Sequence, residues 1–279
     1  MLFHGPLHGF RYGAPLLLLP LLLAGCSGGG DPEGDARGQG SPGVPAPGSP
    51  SAPSSDPDPD PAPSSALVDA DPARLPKNRS AALALIGKVI AEPDSFGPGV
   101  VKRSPYESDP ATWPVLGTDC VWARQKPAGN VLATVTRNFE VPAVKGRGPV
   151  RLAAVVTVHR TRQDARWEMA ESLEETMRCP TQQLRQGELI GSMISAALLQ
   201  GESAQSNSED ALNETGQFRS EELGGPYPYA WQQAQTLQFT VAVTGKGAKG
   251  RTEKELGDLV AQAQGAMLVR LQSAVEKQS

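Results

Sequence analysis

Few side chains in this sequence have the types and spacing that acid–base or nucleophilic catalysis requires. His4 and His8 lie in an N-terminal segment, so His159 is the only histidine in the rest of the chain. It could act as the base of a Ser-His-Asp arrangement, but it ends an apolar run beside Arg160, as at a solvated strand end. No G-x-S-x-G, S-x-x-K or phosphate-loop motif is present. We therefore assign no catalytic residue and expect a non-enzymatic protein.

Two groups of carboxylates could form an acid–base pair, namely Glu107 with Asp109 and the segment from Glu209 to Glu214. Such residues are more typical of loops and helix caps. One histidine excludes a histidine-rich zinc site, and no calcium-binding loop signature occurs. The sequence therefore predicts no metal site and no cofactor.

Three aromatic residues alternate after the turn formed by Gly224-Gly225-Pro226. On an extended segment Tyr227, Tyr229 and Trp231 point to one side. Such a face could stack on a sugar ring or a peptide, and we name these three residues as candidate ligand-binding residues. The alternative is that they form the core-facing side of a hairpin.

The N-terminus has the pattern of an export signal. Arg11 precedes an apolar segment, residues 14–23, which contains two prolines. That segment is far shorter than the ~20 apolar residues needed to span a bilayer as a helix. It matches the apolar part of a secretory signal peptide.

Residues 23–26, Leu-Ala-Gly-Cys, resemble the lipobox of bacterial lipoproteins. In that family a diacylglyceryl group is attached to the cysteine thiol, the chain is cut before it, and the new N-terminus is usually acylated. The resemblance implies a signal peptide over residues 1–25 and lipid attachment at Cys26. Two or more acyl chains hold a protein stably on a bilayer, so the implied location is the outer face of the cell membrane.

Residues 26–73 are rich in Gly, Pro and Ser and have no apolar periodicity. This composition predicts a disordered, extended tether. Residues 74–279 are enough for a single globular domain.

Removal of the signal peptide leaves 25 basic against 30 acidic residues, a net charge of −5 with no basic cluster. Nucleic acid is therefore excluded as a partner.

With Cys26 lipidated, Cys120 and Cys179 remain. Two cysteines in an exported domain most simply form a disulfide. The chain has no C-x-x-C motif that would favour a redox-active pair. We predict a structural disulfide.

Helical and strand patterns alternate along the domain. Residues 78–93 have helical spacing and stop at Pro93, Thr161 begins a second helix with a stripe from Ala165 to Met177, and a third helix covers 252–276. Runs rich in β-branched residues predict strands at 119–125, 130–142, 149–160, 185–195, 214–223 and 234–246. The pattern favours an α+β fold with a mostly antiparallel central sheet and flanking helices. Trp113, Trp122 and Trp167 are expected to fill its core.

The segments "CVWARQ" and "VTVHRTRQDARWEMAESLEETMRCP" resemble the extracellular sensor domain of PknH-type actinobacterial serine/threonine kinases and related secreted lipoproteins. The resemblance covers Pro105 to Ala274. This chain differs in having one cysteine pair rather than two. The resemblance implies an antiparallel α+β fold and a role in sensing or binding at the cell envelope.

Together these patterns predict a lipid-anchored envelope protein whose domain binds a small-molecule ligand or an envelope protein. An envelope hydrolase with an unrecognised active site and a passive structural lipoprotein are the alternatives.

Overall fold

The computed structural model describes residues 68–197 and 208–277. The predicted signal peptide, Cys26 and most of the predicted tether lie outside these ranges. The end of the predicted tether belongs to the folded domain, because Val68 is buried in the core and Ala70 forms a β-bridge to Glu276. The folded part therefore begins by Val68, ahead of the expected boundary at residue 74.

Three α-helices and one short 3-10 helix are present in the described residues. They are α1 (Arg79–Val89), the 3-10 helix Pro93–Phe96, α2 (Arg162–Arg178) and α3 (Glu253–Val275). The hydroxyl of Thr161 accepts from the Asp164 backbone N–H, which confirms the predicted N-terminal cap of α2. No helix in the described ranges is long and apolar enough to span a bilayer.

Ten strands accompany these helices, and eight of them form one antiparallel sheet. The ten are β1 (Val101–Glu107), β2 (Trp113–Leu116), β3 (Trp122–Gln125), β4 (Val131–Val141), β5 (Val150–His159), β6 (Gln182–Arg185), β7 (Glu188–Ala197), β8 (Asp210–Ser220), β9 (Gly224–Thr236) and β10 (Phe239–Lys246). The large sheet has the order β1-β4-β5-β10-β9-β8-β7-β6, and β2 pairs with β3 separately. The predicted α+β fold with a mostly antiparallel sheet is confirmed.

The main hydrophobic core lies between one face of this sheet and the helices α1 and α3. Alternate residues of β5 and β10, such as Val156 and Val241, face it. From α3, the predicted apolar stripe supplies the fully buried Met267 and Leu271. The intervening strand residues face the opposite side, where Thr240 of β10 contacts α2.

The sheet curls strongly around this second face. In a flat sheet β5 and β7 would lie four strand spacings, roughly 19 Å, apart. Yet Nη1 of Arg151 on β5 lies 2.6 Å from Oε1 of Glu188 on β7. The second face is therefore concave.

A disulfide joins Cys120 to Cys179, with a Cα–Cα distance of 5.5 Å and a sequence separation of 59. Cys179 is the C-terminal cap of α2, and the Cys120 carbonyl accepts from the backbone N–H of Gln183 at the edge of the sheet. The predicted disulfide is confirmed, and it fixes the end of α2 beside β6.

Several local predictions were wrong. Met177 is 76% exposed and Trp167 is 59% exposed, so neither contributes to the core. The buried residues of α2 are Ala165, Met169 and Thr176, because the helix covers a polar sheet surface. The strand predicted at 185–195 begins only at Glu188, and that predicted at 234–246 is divided by a turn at residues 237–238.

Candidate functional site

A cavity of about 230 Å³ opens at one end of the concave face. Strands from both edges of the curled sheet line it, and α2 covers the opposite end of the same face. Its four cationic side chains are Arg103, Arg151, Arg185 and Lys246. We call this space the cationic cavity.

Glu188 is the only carboxylate among the described residues that line the cationic cavity, and its side chain is 3% exposed. Its oxygens accept hydrogen bonds from Arg151, Arg185 and Lys246, with a distance of 3.0 Å to Lys246 Nζ. Burial alone would raise the pKa of Glu188, but the hydrogen bonds from Arg185 and Lys246 and their charges outweigh it and lower that pKa. Glu188 is therefore a charged hub that three cations share.

The guanidinium of Arg151 is the most deeply placed cation of the cavity, with its side chain 10% exposed. Nη1 donates to Glu188, and Nη2 donates over 2.8 Å to Glu222. Its Nε is buried and has no hydrogen-bond partner within the described residues. A buried N–H without a hydrogen-bond partner costs folding free energy. The Arg151 guanidinium therefore has hydrogen-bonding capacity left.

Lys246 lies directly across from Arg151, because the two are register partners of β10 and β5. Burial lowers the pKa of Lys246, and the neighbouring Glu188 opposes that change. Its Nζ also lies 5.3 Å from the centroid of the Phe218 ring. Like charges placed opposite each other destabilise a strand pair unless anions compensate them.

Phe218 belongs to a second hydrophobic cluster between the cavity and α2. The cluster consists of Ile190, Met193, Phe218 and Tyr229, with Tyr227 and Trp231 packed against it. The three predicted aromatic residues therefore share one side of β9, as expected. Tyr229 is 5% exposed, and none of the three lines the cationic cavity. A ligand-binding role for Tyr227, Tyr229 and Trp231 stays a prediction.

His159 is buried, which corrects the expectation of a solvated strand end. Its Nε2 lies 2.5 Å from Glu168 of α2, and Glu168 also accepts from Gln233 and Thr240. The side chain of His159 is 1% exposed. This closed arrangement attaches α2 to the sheet and gives a substrate no route to His159 in the described structure.

Two more carboxylates lie where α2 packs on the sheet, Glu175 on α2 itself and the buried Glu214 on β8. Burial raises the pKa of Glu175 to about 7, and burial raises that of Glu214, which accepts from Thr176 and Ser195. These groups lie at the α2 end of the concave face, away from the cationic cavity.

The carboxylates considered as acid–base candidates do not converge. Glu107 accepts from Arg137, and Asp109 accepts from the Ala111 backbone N–H. Glu209 accepts from Arg162. Each of these side chains has a structural partner. This agrees with the alternative that they are ordinary loop and cap residues.

The residues of the cationic cavity gave no specific signal in the sequence. Arg151 and Lys246 each occupy a strand end, where charged residues are ordinary, and Glu188 lies beside a glycine turn. Only the register places Arg151 opposite Lys246, and only the curl brings Glu188 to both.

Among known proteins, this chain is similar to a solved extracellular domain. No family model matches this chain, and no curated protein matches it in sequence. Among solved structures, the extracellular domain of PknH from Mycobacterium tuberculosis matches 70% of this chain and 93% of its own, at 14% identity and a TM-score of 0.39. We therefore take the functional site from this chain's own residues.

Proposed function

We propose that this protein is a lipid-anchored envelope protein whose domain works outside the cytoplasm and binds a small molecule in the cationic cavity without catalysing a reaction. The lipobox-like residues ending at Cys26 support the anchor. The disulfide supports an oxidising compartment outside the cytoplasm.

The observation that carries the binding proposal is the cationic cavity itself. It is concave, has both apolar and polar walls, and contains a nearly buried arginine with an unpartnered donor.

The chemistry of the cavity favours binding over catalysis. Its titratable residues are arginines, one lysine and a glutamate with a lowered pKa. Such a glutamate stays ionised near neutral pH and is a poor proton donor. The carboxyl group with a pKa near neutrality, Glu175, lies on α2 instead.

The binding proposal can be tested without knowing the ligand. The full-length protein would be dialysed against a small-molecule extract of its own cells, and retained compounds would be identified by mass spectrometry. Ala153→Phe fills the cavity from β5 and should abolish retention, whereas Val269→Phe at an exposed site of α3 should not. Retention that is absent, or that Ala153→Phe leaves unchanged, would contradict the proposal.

The anchoring proposal has its own test. The native protein should have the mass of a chain that begins at Cys26 and carries diacylglyceryl and acyl groups, and it should fractionate with membranes. Cys26→Ala should release it from the membrane. An unlipidated wild-type protein in the soluble fraction would refute anchoring and leave the binding proposal intact.

A further inference from the structure

The cationic cavity has more positive charge than its own carboxylates neutralise. The four cations line the cavity together with Glu188, and two further carboxylates lie at its margin. One of those two, Glu222, contacts Arg151, and the other, Glu140, lies 3.8 Å from Arg103. The cluster therefore keeps a net charge of +1 inside a space that is partly withdrawn from water.

We propose that the cavity binds the oxyanion of a small organic molecule, either a phosphate or a carboxylate. Arg151 and Lys246 hold this oxyanion. This inference rests on the proposed function, since it names the class of the bound molecule. A bound oxyanion would add negative charge beside Arg151 on β5 and Lys246 on β10, which are opposite each other in the paired strands.

The guanidinium of Arg151 supplies the first contact. Hydrogen bonds from a charged donor to a charged oxygen are about twice as strong as neutral ones. A guanidinium has five N–H donors, and in Arg151 the two terminal nitrogens already contact Glu188 and Glu222. Each terminal nitrogen therefore keeps one N–H for a ligand oxygen, and the buried Nε has no partner within the described residues.

Lys246 supplies the second contact. Its ammonium group has three N–H donors, and Glu188 accepts one of them within the described structure. Because Lys246 is the register partner of Arg151, both groups can reach the same bound oxyanion. Glu188 and Glu222 together carry one negative charge fewer than Arg151, Arg185 and Lys246 carry positive ones, so an added anion completes the charge balance.

The remaining walls limit the size and polarity of the ligand. Asn138 and Thr244 add neutral hydrogen-bonding groups, and Pro105, Ala153 and Leu184 add apolar surface. At ~30 Å³ per water molecule, the cavity has room for roughly eight waters. A ligand of that size is a short-chain phosphate ester or a small carboxylic acid rather than a polymer.

The test is calorimetric titration of the full-length protein at low ionic strength with three anions: inorganic phosphate, glycerol 3-phosphate and citrate. Neutral glycerol is the matched uncharged probe. We expect at least one anion to bind with one-to-one stoichiometry and glycerol not to bind. The preferred anion then distinguishes a phosphate from a carboxylate ligand.

Lys246→Met should weaken that binding by roughly tenfold or more, because it removes one charge-assisted contact. Lys249→Met is the matched control, since it removes the same charge from an exposed position three residues away and should leave affinity unchanged. If Lys246→Met fails to fold, Ala153→Glu is the second variant, because it places a carboxylate in the cavity and should abolish anion binding.

The outcomes separate this inference from the function on which it rests. If no anion binds but a neutral compound from the cell extract is retained and Ala153→Phe abolishes its retention, the oxyanion inference is wrong and the proposed function stands. Equal loss of binding in Lys246→Met and Lys249→Met would also overturn the inference, because it would indicate diffuse charge attraction. If Ala153→Phe abolishes no retention and no anion binds, both proposals fail.

Discussion

Glu175 on α2 shows at the scale of one residue how partial burial between a helix and the sheet changes the pKa of a carboxyl group. Its pKa of about 7 lies above the value of an unfolded chain, so the folded protein binds a proton more readily than the unfolded chain. The resulting stabilisation is fully present below pH 4.5 and is lost as the pH rises through about 7.

We therefore expect Glu175→Gln to become more stable than the wild type as the pH rises from 5 to 8. At pH 8 its free energy of unfolding should exceed that of the wild type by about 1 kcal/mol, after allowance for solvent screening. Urea denaturation at several pH values measures this difference. Glu253→Gln, at an exposed site of α3 away from Glu175, should not show this gain, and an identical result for both variants would contradict the account.

His159 and Trp167 show why burial is hard to predict one residue at a time. His159 follows an apolar strand and precedes an arginine, as surface histidines do, yet Glu168 covers it from a helix nine residues away. Trp167 has a large apolar ring, yet it lies on the side of α2 that faces water. Each outcome depends on how α2 docks, which no local pattern contains.

At the scale of elements, the disulfide links α2 to the margin of the sheet. Removing a native disulfide from a small exported domain typically costs 2–5 kcal/mol, and part of this reflects the greater freedom of the unfolded chain. We expect the double variant Cys120→Ser, Cys179→Ser to lose about 2–4 kcal/mol in its free energy of unfolding.

Urea denaturation of the full-length protein measures this loss. Cys26→Ser is the matched control, because it removes a cysteine that lies outside the described domain and should not change unfolding of the domain. A loss below ~1 kcal/mol in the double variant would contradict a stabilising role for the bridge.

The helices, most strands and the cysteine pair follow from local signals in the sequence. Thr161 and Asp164 form a capping box, α3 has a regular apolar stripe, and β5 is rich in β-branched residues. The turn at residues 237–238 was missed, because Leu237 and Gln238 carry no glycine, proline or asparagine signal. That turn creates β10, which provides one wall of the cationic cavity.

At the scale of the whole molecule, Glu188 holds the curled sheet together. It joins β7 to Arg151 on β5 and to Lys246 on β10. The spacing of residues in the sequence cannot predict these contacts, because they depend on sheet order, register and curvature together. The candidate site was therefore unpredictable, whereas the fold class was not.

Glu188→Gln should destabilise the protein strongly, because it leaves three cations facing one another without their shared carboxylate. Breaking a buried ion pair typically costs about 3–5 kcal/mol, and we expect a loss of that size in the free energy of unfolding. The loss should shrink when Lys246→Met is added, since that change removes one of the uncompensated charges.

Glu222→Gln is the control, because Glu222 contacts the same arginine from an exposed position and should matter much less. Thermal unfolding of all four proteins at one pH measures these differences. Equal stability of Glu188→Gln and the wild type would show that the ion pairs of Glu188 do not stabilise the curled sheet.

The central claim is that the cationic cavity binds the oxyanion of a small molecule at Arg151, and side-chain NMR tests it most directly. The Nε–Hε signal of Arg151 would be followed during titration with glycerol 3-phosphate and citrate. We predict that it shifts and saturates with ligand, whereas the signal of Arg270, whose Nε donates to the Val89 carbonyl, stays in place. An Arg151 signal that does not move with either anion would contradict the account.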